Sequence, residues 1–573
     1  MDADTGWHIR TGEHILATAS VPRTDLFSFT KSGEPWFAWE WGADVIYALL
    51  HQLWGLKGVV ILGAIQIGLF AILLLRFMLW RGANMLLALG VLLTCFGAAT
   101  LHYLARPHLF TLLFVPISLW MLEADQRKSS ARLWWLVPLT LVWTNLHGGF
   151  LAWIACLGLA VVGTAVECLL MPPEGRDWRP VWRYSLLGVT CGLATLVNPY
   201  GYQLHMHIVE YLRSDWIRNL IQEFQSPSFR TENMLQFELI LLLGLMAAGS
   251  ALANRRVTEA LWILFWAHQS LASVRHATVF VAVAGPVVAV EATRWWNRFQ
   301  TGAPKASVRK ILDNLARDMS GNFGWTSVWP LIVIAALAMQ EERVRWPKDF
   351  PEAMIPVRMV EKHQHLLVGR RVLTTDQWGD YLIYKFHPRT KVFFDGRSDF
   401  YGQKLGDDYV QVSHGHHEWR KILDRHQFEA ALVPLEWPLA SLLKLDPKWR
   451  LVDDDGKSLI FERIKLLSEF RTRAVPKKTR AGLMESNPPS EFSMGDLIGM
   501  KHGKQTPQGT ASRERPTASE PSDWWLPSGQ RLAEFALRGG FMAPNLLKKI
   551  DPGPQRGAKI TVARSGKERE AAG

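Results

Sequence analysis

Two carboxylates spaced as Asp2-Ala3-Asp4, with Trp7 and His8 close behind, open a chain of 573 residues. Paired oxygen ligands suit a divalent cation, and an acid beside an imidazole suits a general base with an orienting partner. Asp-X-Asp alone is a weak signal, and a solvated acidic N-terminus explains it more simply. The same stretch continues to Arg10, Asp25, Glu40 and Asp44. Further along, Arg106-Pro107-His108 and Arg275-His276 each set a guanidinium beside an imidazole. Such pairs suit a phosphate or pyrophosphate, which Arg grips bidentately; snorkelling at a membrane edge is the competing explanation. Asn145-Leu146-His147-Gly148-Gly149 is a tight turn whose glycines permit close backbone approach, or equally a plain hairpin turn with a capping Asn. Asn198-Pro199-Tyr200-Gly201 begins a segment with His205, His207, Tyr211 and Trp216 that ends in Glu223-Phe224-Gln225-Ser226-Pro227. It reads either as a lid or acceptor groove, or as an amphipathic helix lying on the bilayer.

Apolar stretches position these residues. The chain is 49% apolar with a mean hydropathy of +0.03, but the averages join two unlike halves. Up to about residue 340 apolar runs alternate with short polar loops, which excludes a wholly soluble protein; beyond it no run approaches the roughly 18–20 residues that cross a bilayer. Spans are predicted near residues 58–80, 84–101, 107–122, 133–146, 149–171, 184–197, 235–253, 258–274, 276–293 and 324–340, about ten crossings. Residues 41–56 read as an interfacial amphipathic helix. The 27 Trp, many flanking apolar runs as at Trp134 and Trp135, form an aromatic belt. Four cysteines lie in or beside apolar runs without disulfide or zinc spacing.

Orientation follows from Lys and Arg, which collect on the cytoplasmic side. One alternating set of loops holds Arg76 and Arg81; Arg127, Lys128 and Arg132; Arg176, Arg179 and Arg183; Arg255 and Arg256; and Arg294 to Lys310. The other set comprises residues 1–57, the turns at 102–108, 145–149 and 273–276, the 198–233 segment, and everything after about residue 341. These are predicted to be extracytoplasmic, so the motif-like residues share one face. The net charge of +12 is spread over many loops and the tail, without a basic face carrying stacking aromatics. That distribution points to the lipid bilayer as partner and not to nucleic acid.

Residues 351–463 alternate strand-like runs (371–375, 391–395, 430–434, 449–453, 458–462) with helical stretches, an α/β pattern. Asp395-Gly396-Arg397-Ser398-Asp399 follows a strand end, where ligands often bind, although a turn held by an Arg–Asp pair is the simpler reading. No dinucleotide fingerprint, phosphate-binding P-loop or serine-hydrolase elbow occurs. Residues 464–573, rich in Lys, Arg, Pro, Ser and Gly, are predicted to be a mostly disordered basic tail.

Asp2 to Glu13, Val21-Pro22-Arg23-Thr24-Asp25, Trp39-Glu40-Trp41, RPHLFT (106–111), NLHGGF (145–150), NPYG (198–201) and FFDGRSDFYG (393–402) together resemble a bacterial group of multispanning proteins. That group is similar to the GT-C class of membrane glycosyltransferases, which includes oligosaccharyltransferase catalytic subunits, protein O-mannosyltransferases and lipid A aminoarabinose transferases. The resemblance covers about residues 1–463. It implies a GT-C-like α-helical multispanning domain in the bacterial inner membrane, followed by a small extracytoplasmic α/β domain. It also implies a glycosyltransferase that takes a sugar from a polyprenyl-phosphate or pyrophosphate donor and inverts the anomeric carbon, passing the sugar to an extracytoplasmic acceptor.

Carried over by position, the catalytic acid is Asp4, or else Asp2, with His8 beside it. Arg106, His108, Arg275 and His276 bind the donor phosphate, and Glu40, Asn145, His147 and Glu223 are further site residues. A divalent cation, if used, would be held by Asp2 and Asp4; the later external turns carry no second Asp-X-Asp, which leaves metal dependence open. The spanning helix expected before the first loop is absent, since Asp2 follows Met1 directly. The expectation is therefore either a start site upstream of Met1 or an inactive copy. The alternatives to an enzyme are a non-catalytic envelope-assembly membrane protein and, ranked below it, a transporter.

Overall fold

The computed structural model describes residues 1–464 apart from 232–233, 302–303, 305, 327 and 341–343, so all but the first residue of the expected tail lies outside the described residues. Residues 1–57, expected as a loop with one interfacial helix, contain a pair of helices, α1 (Thr5–Thr18) and α2 (Trp41–Trp54). They cross in direct contact at Gly12, where any Cβ would collide with the Asp44 carbonyl of α2. The membrane domain follows as α3 (Leu56–Trp80), α4 (Met85–Ala98), α5 (His108–Arg127), α6 (Leu136–Leu146), α7 (Phe150–Leu169) and α8 (Arg179–Ala194). Two short helices, α9 (Gln203–Arg213) and α10 (Asp215–Leu220), occupy the long external segment. Then come α11 (Met234–Ala253), α12 (Val257–Ala272), α13 (Ala277–Gln300), α14 (Val308–Thr326) and α15 (Trp329–Ala338).

A helix stands at each of the ten apolar stretches, and five are long and apolar enough to cross a bilayer: α3, α5, α7, α11 and the segment Val274–Gln300. The chain is an integral multi-pass membrane protein. Its centre is α13, buried without interruption from Ala277 to Val290, where every residue except Thr278, Phe280 and Pro286 is Ala, Val or Gly. Small residues let neighbouring helices approach closely, the usual basis of packing where lipid supplies no hydrophobic drive. The four cysteines are buried and unpaired.

The arginines of the alternating basic loops close one end of this bundle. Arg81 pairs with Glu123 at 3.0 Å and with Glu259 at 2.8 Å, Arg256 with Glu259 at 2.7 Å, and Arg183 with Asp125 at 2.9 Å. Charges drawn together across α3, α5, α8 and α12 fix these helices to one another.

The α/β region contains α16 (Val357–Lys362), α17 (Gln364–Leu367), α18 (Asp376–Phe386), α19 (Ser398–Ser413), α20 (Trp419–Arg425) and α21 (Pro438–Leu445). Its strands are β1 (Val372–Leu373), β2 (Ala430–Pro434), β3 (Trp449–Asp454) and β4 (Ser458–Arg463), in the order β1-β2-β4-β3. β1 and β2 run parallel and the other pairs antiparallel, so the sheet is mixed. The run 391–395, predicted as a strand of this sheet, instead pairs with the N-terminal segment. Val392 N–H donates to Phe27 O at 2.9 Å and Phe29 N–H to Val392 O at 3.0 Å. An isolated run cannot show whether its partner is near or far in sequence, and here the partner is far.

Arg397 completes that junction. Its guanidinium bonds Asp395 (Nε to Oδ1 2.8 Å, Nη2 to Oδ2 2.6 Å) and Asp25 (2.9 Å), and lies over the Trp36 ring at 4.6 Å. All three charged groups are buried, and Tyr401 donates its hydroxyl to Asp395 at 2.6 Å. The Asp395-Gly-Arg-Ser-Asp motif is thus an Arg–Asp turn, with the added task of clamping the N-terminal segment.

Candidate active site

Asp2 and Asp4 lie immediately before α1, where the Asp4 N–H donates to Asp2 Oδ1 at 3.1 Å. The turn that precedes α5 is tied to the same place, because Thr5 donates its hydroxyl to Ala105 O at 3.0 Å. Arg106 therefore reaches both acids: its Nη2 is 2.7 Å from Asp2 Oδ2 and 2.8 Å from Asp4 Oδ2. A guanidinium sits where a cation bridging the two carboxylates would have to be. Among the described residues, no group of three or more His, Cys, Asp or Glu is placed to hold a metal ion. The donor set here does not fit a divalent cation.

The other face of Asp4 meets the α/β region. Asp380, on α18, accepts the Gly396 N–H at 2.9 Å and shares the space beside Gly396 with Asp4. Both carboxyls crowd Gly396, where a Cβ would collide with Asp4 Oδ1 and stand 2.9 Å from Asp380 Oδ2. Two buried carboxyls this close repel as anions and are best accommodated with one proton between them. Burial raises the affinity of each for that proton; for Asp4, Arg106 opposes the shift, while Asp2 and Glu223 reinforce it.

One helical turn further along α1, His8 faces a different set of groups. Its Nδ1 is 2.6 Å from Asp44 Oδ1 and its Nε2 3.7 Å from Glu40 Oε2. Burial pushes His8 down and Asp44 up, so each is drawn toward its neutral form. Glu40 lies between His8 and His147, whose Nε2 is 3.5 Å from Glu40 Oε1. Gly149 N–H donates to His147 Nδ1 at 2.9 Å, which leaves the imidazole proton on Nε2, directed at Glu40. Burial, helped by the negative charges of Asp399 and Asp4 against the pull of Arg106, raises Glu40 to about 8. At neutral pH this carboxyl is mostly protonated.

The second mouth cation is Arg275, on the turn between α12 and α13. It lies over the Phe224 ring at 4.2 Å and donates to the Tyr211 hydroxyl at 3.2 Å. Glu223 stands beside both cations, 3.8 Å from Arg106 Nη1. Desolvation of its half-exposed side chain would favour the neutral form, but Arg275 and then Arg106 outweigh that and hold it ionised, at about 2.

The structure thus gathers Asp2, Asp4, Arg106, Glu223 and Arg275 at one mouth, with His8, Glu40 and His147 in an adjoining group. His108 turns its Nε2 to His102 O at 2.5 Å, and its ring is 6.4 Å from that of His147. His276 turns from Arg275 toward Gln269 O, 3.3 Å away, and the Trp266 ring. Asn145 accepts the Trp41 indole N–H at 2.8 Å and caps backbone carbonyls at Leu141 and Val197, as a turn-forming Asn does. Asp380 and the Asp44 bond to His8 were not anticipated from sequence, although the Glu40/Asp44 spacing of four left a trace of the latter. Gly396 was singled out only as part of the Asp395-Gly396-Arg397-Ser398-Asp399 turn, without its place beside Asp4.

No protein-family model matches the chain, and no curated protein is significantly similar to it in sequence. Among solved structures, it is similar to an Archaeoglobus fulgidus oligosaccharyltransferase in the apo form, with a TM-score of 0.44 and 10% identity over 76% of this chain. It spans 66% of that protein's length. The oligosaccharyltransferase AglB of the same organism, in complex with an inhibitory peptide and a dolichol-phosphate, gives a TM-score of 0.45 and 10% identity, covering 83% of this chain and 71% of the other. ArnT from Cupriavidus metallidurans bound to undecaprenyl phosphate gives 0.41 and 13%, covering 80% and 93%.

Proposed function

We propose that this chain is an integral membrane glycosyltransferase of the bacterial inner membrane, moving a sugar from a polyprenyl-phosphate or pyrophosphate donor to an extracytoplasmic acceptor. One observation carries the reading: a proton-accepting carboxyl, Asp4, and two guanidiniums, Arg106 and Arg275, meet at one mouth of the helical bundle. A phosphate-linked sugar needs both, a base for the acceptor and positive charge for the leaving phosphate.

In the reaction, the acceptor heteroatom loses its proton to Asp4 as it attacks the anomeric carbon. The bond from that carbon to the phosphate oxygen breaks, and its electron pair stays on the phosphate. Arg275 and the Nη1 side of Arg106 meet the negative charge that develops there. At rest the proton of the Asp4–Asp380 pair lies on Asp380, which leaves Asp4 ionised to take the acceptor's proton; that proton then passes to water, while His8 and Asp44 flank Glu40.

The test is transfer from radiolabelled polyprenyl-phosphate sugars by the purified chain in lipid nanodiscs. Asp4→Asn should lower turnover by about 10²- to 10⁴-fold, the usual loss for a general base. Undiminished turnover in Asp4→Asn removes Asp4 from the role. Absence of transfer by the unmodified chain from every donor tried, with tight binding to an envelope protein, replaces the enzyme with an assembly protein.

A further inference from the structure

Breaking a glycosyl–phosphate bond changes the charge of the carrier. A phosphodiester donor carries one negative charge, whereas the phosphomonoester left behind carries close to two above its second pKa of about 6. A pyrophosphate donor likewise gains one charge on losing its sugar. A site whose cations are matched to the departing group therefore risks holding the spent carrier more tightly than the fresh donor.

The charges at the mouth bear on that risk. Arg106 commits its Nη2 to Asp2 and Asp4, at 2.7 and 2.8 Å. Its Nη1 faces Glu223 at 3.8 Å, which is near enough for an ion pair but too long for a hydrogen bond, so that edge retains capacity for a phosphate oxygen. Arg275, stacked on Phe224, borders the same carboxylate. Glu223 cannot withdraw by moving its backbone. Ser273 donates its hydroxyl to Glu223 O at 2.9 Å, and Val274 N–H donates to Gln225 O at 2.9 Å, tying this segment to the turn that carries Arg275. The backbone that carries this carboxylate is therefore held beside the phosphate seat.

We infer that Glu223 is the specificity-determining residue of the phosphate seat, its fixed carboxylate disfavouring the spent carrier, with one more negative charge, relative to the glycosylated donor. The inference rests on the reading of Arg106 and Arg275 as the phosphate site. The attraction of the two guanidiniums and the repulsion of Glu223 both grow with the charge of the occupant, so Glu223 offsets part of the preference that the guanidiniums give the spent carrier. Glu223 thereby favours exchange of used carrier for new.

The test compares binding of two probes to the full chain in nanodiscs at pH 8: polyprenyl phosphate, a dianion, and its methyl ester, a monoanion of the same tail. Glu223→Gln should tighten the monoester by about tenfold and the methyl ester by only about threefold, because the side chain is partly exposed and its charge partly screened. Glu223→Asp, which keeps the charge, should leave the ratio of the two affinities within about twofold of wild type. Arg275→Gln should weaken both probes. Equal tightening of both probes by Glu223→Gln, or none, overturns the inference while leaving the phosphate site standing, provided Arg275→Gln still weakens them. If the wild-type chain binds neither probe, or Arg275→Gln binds both as the wild type does, the phosphate site fails and the inference with it.

Discussion

Arg397 in the α/β region lies 2.9 Å from Asp25 in the N-terminal segment, with both side chains buried. Removing one partner of such a pair strands the other charge without water. Arg397→Met should therefore cost about 3–5 kcal/mol of stability, read as a drop in the denaturation midpoint of the detergent-solubilised chain. A midpoint unchanged from wild type would show that the clamp is dispensable.

Gly396 is expected to tolerate no side chain, because a Cβ there meets the Asp4 and Asp380 carboxyls together. Gly396→Ala should lower transfer by about 10²-fold, the scale on which small displacements of reacting groups act, with the fold retained. Full activity in this variant would mean that the contact between the two acids does not matter to turnover.

Glu40 predicts a pH effect on stability. Its carboxyl binds its proton more tightly in the folded chain, where it titrates near 8, than at its ordinary value of 4.5. The stabilisation from this group is complete below about 4.5 and is lost as pH rises toward 8. Glu40→Gln should abolish that slope, so the variant gains on wild type between pH 5 and pH 8. Parallel melting curves across that range would contradict the assignment.

Topology can be checked with reporters. Fusions after Ser129 and after Gly402 should report cytoplasmic and extracytoplasmic positions respectively, following the arginine-rich loops. A cytoplasmic signal at Gly402 would invert the sides and move the proposed site into the cell.

The parts legible in the sequence were those with local signatures. Ten apolar runs mark ten helices because the bilayer imposes length and composition on each separately. Arg106 and Arg275 stood out because each sets a guanidinium beside an imidazole at the end of an apolar run. Asp4 and His8, four residues apart, read as one unit, yet the turn before α1 directs Asp4 to Arg106 and Asp380 while His8 points to Asp44 and Glu40. Asp380 carries no signature, since its role depends on α18 docking beside a segment far away in the chain. The same holds for the run 391–395, whose alternation marks an extended segment without saying what it pairs with.

The junction between the N-terminal segment and the α/β region also has a consequence in time. Thr30 bonds Phe393 O across a separation of 363 residues. At about 5–20 residues per second, a ribosome takes roughly 20–70 s to cover that distance. Throughout that interval Asp25, Phe27 and Trp36 are already made and lack the surface that buries them. The newborn chain thus passes through a stage in which its membrane helices can insert while the junction that brings Asp380 to Asp4 is still unassembled, and in that stage its unburied apolar residues are open to proteases.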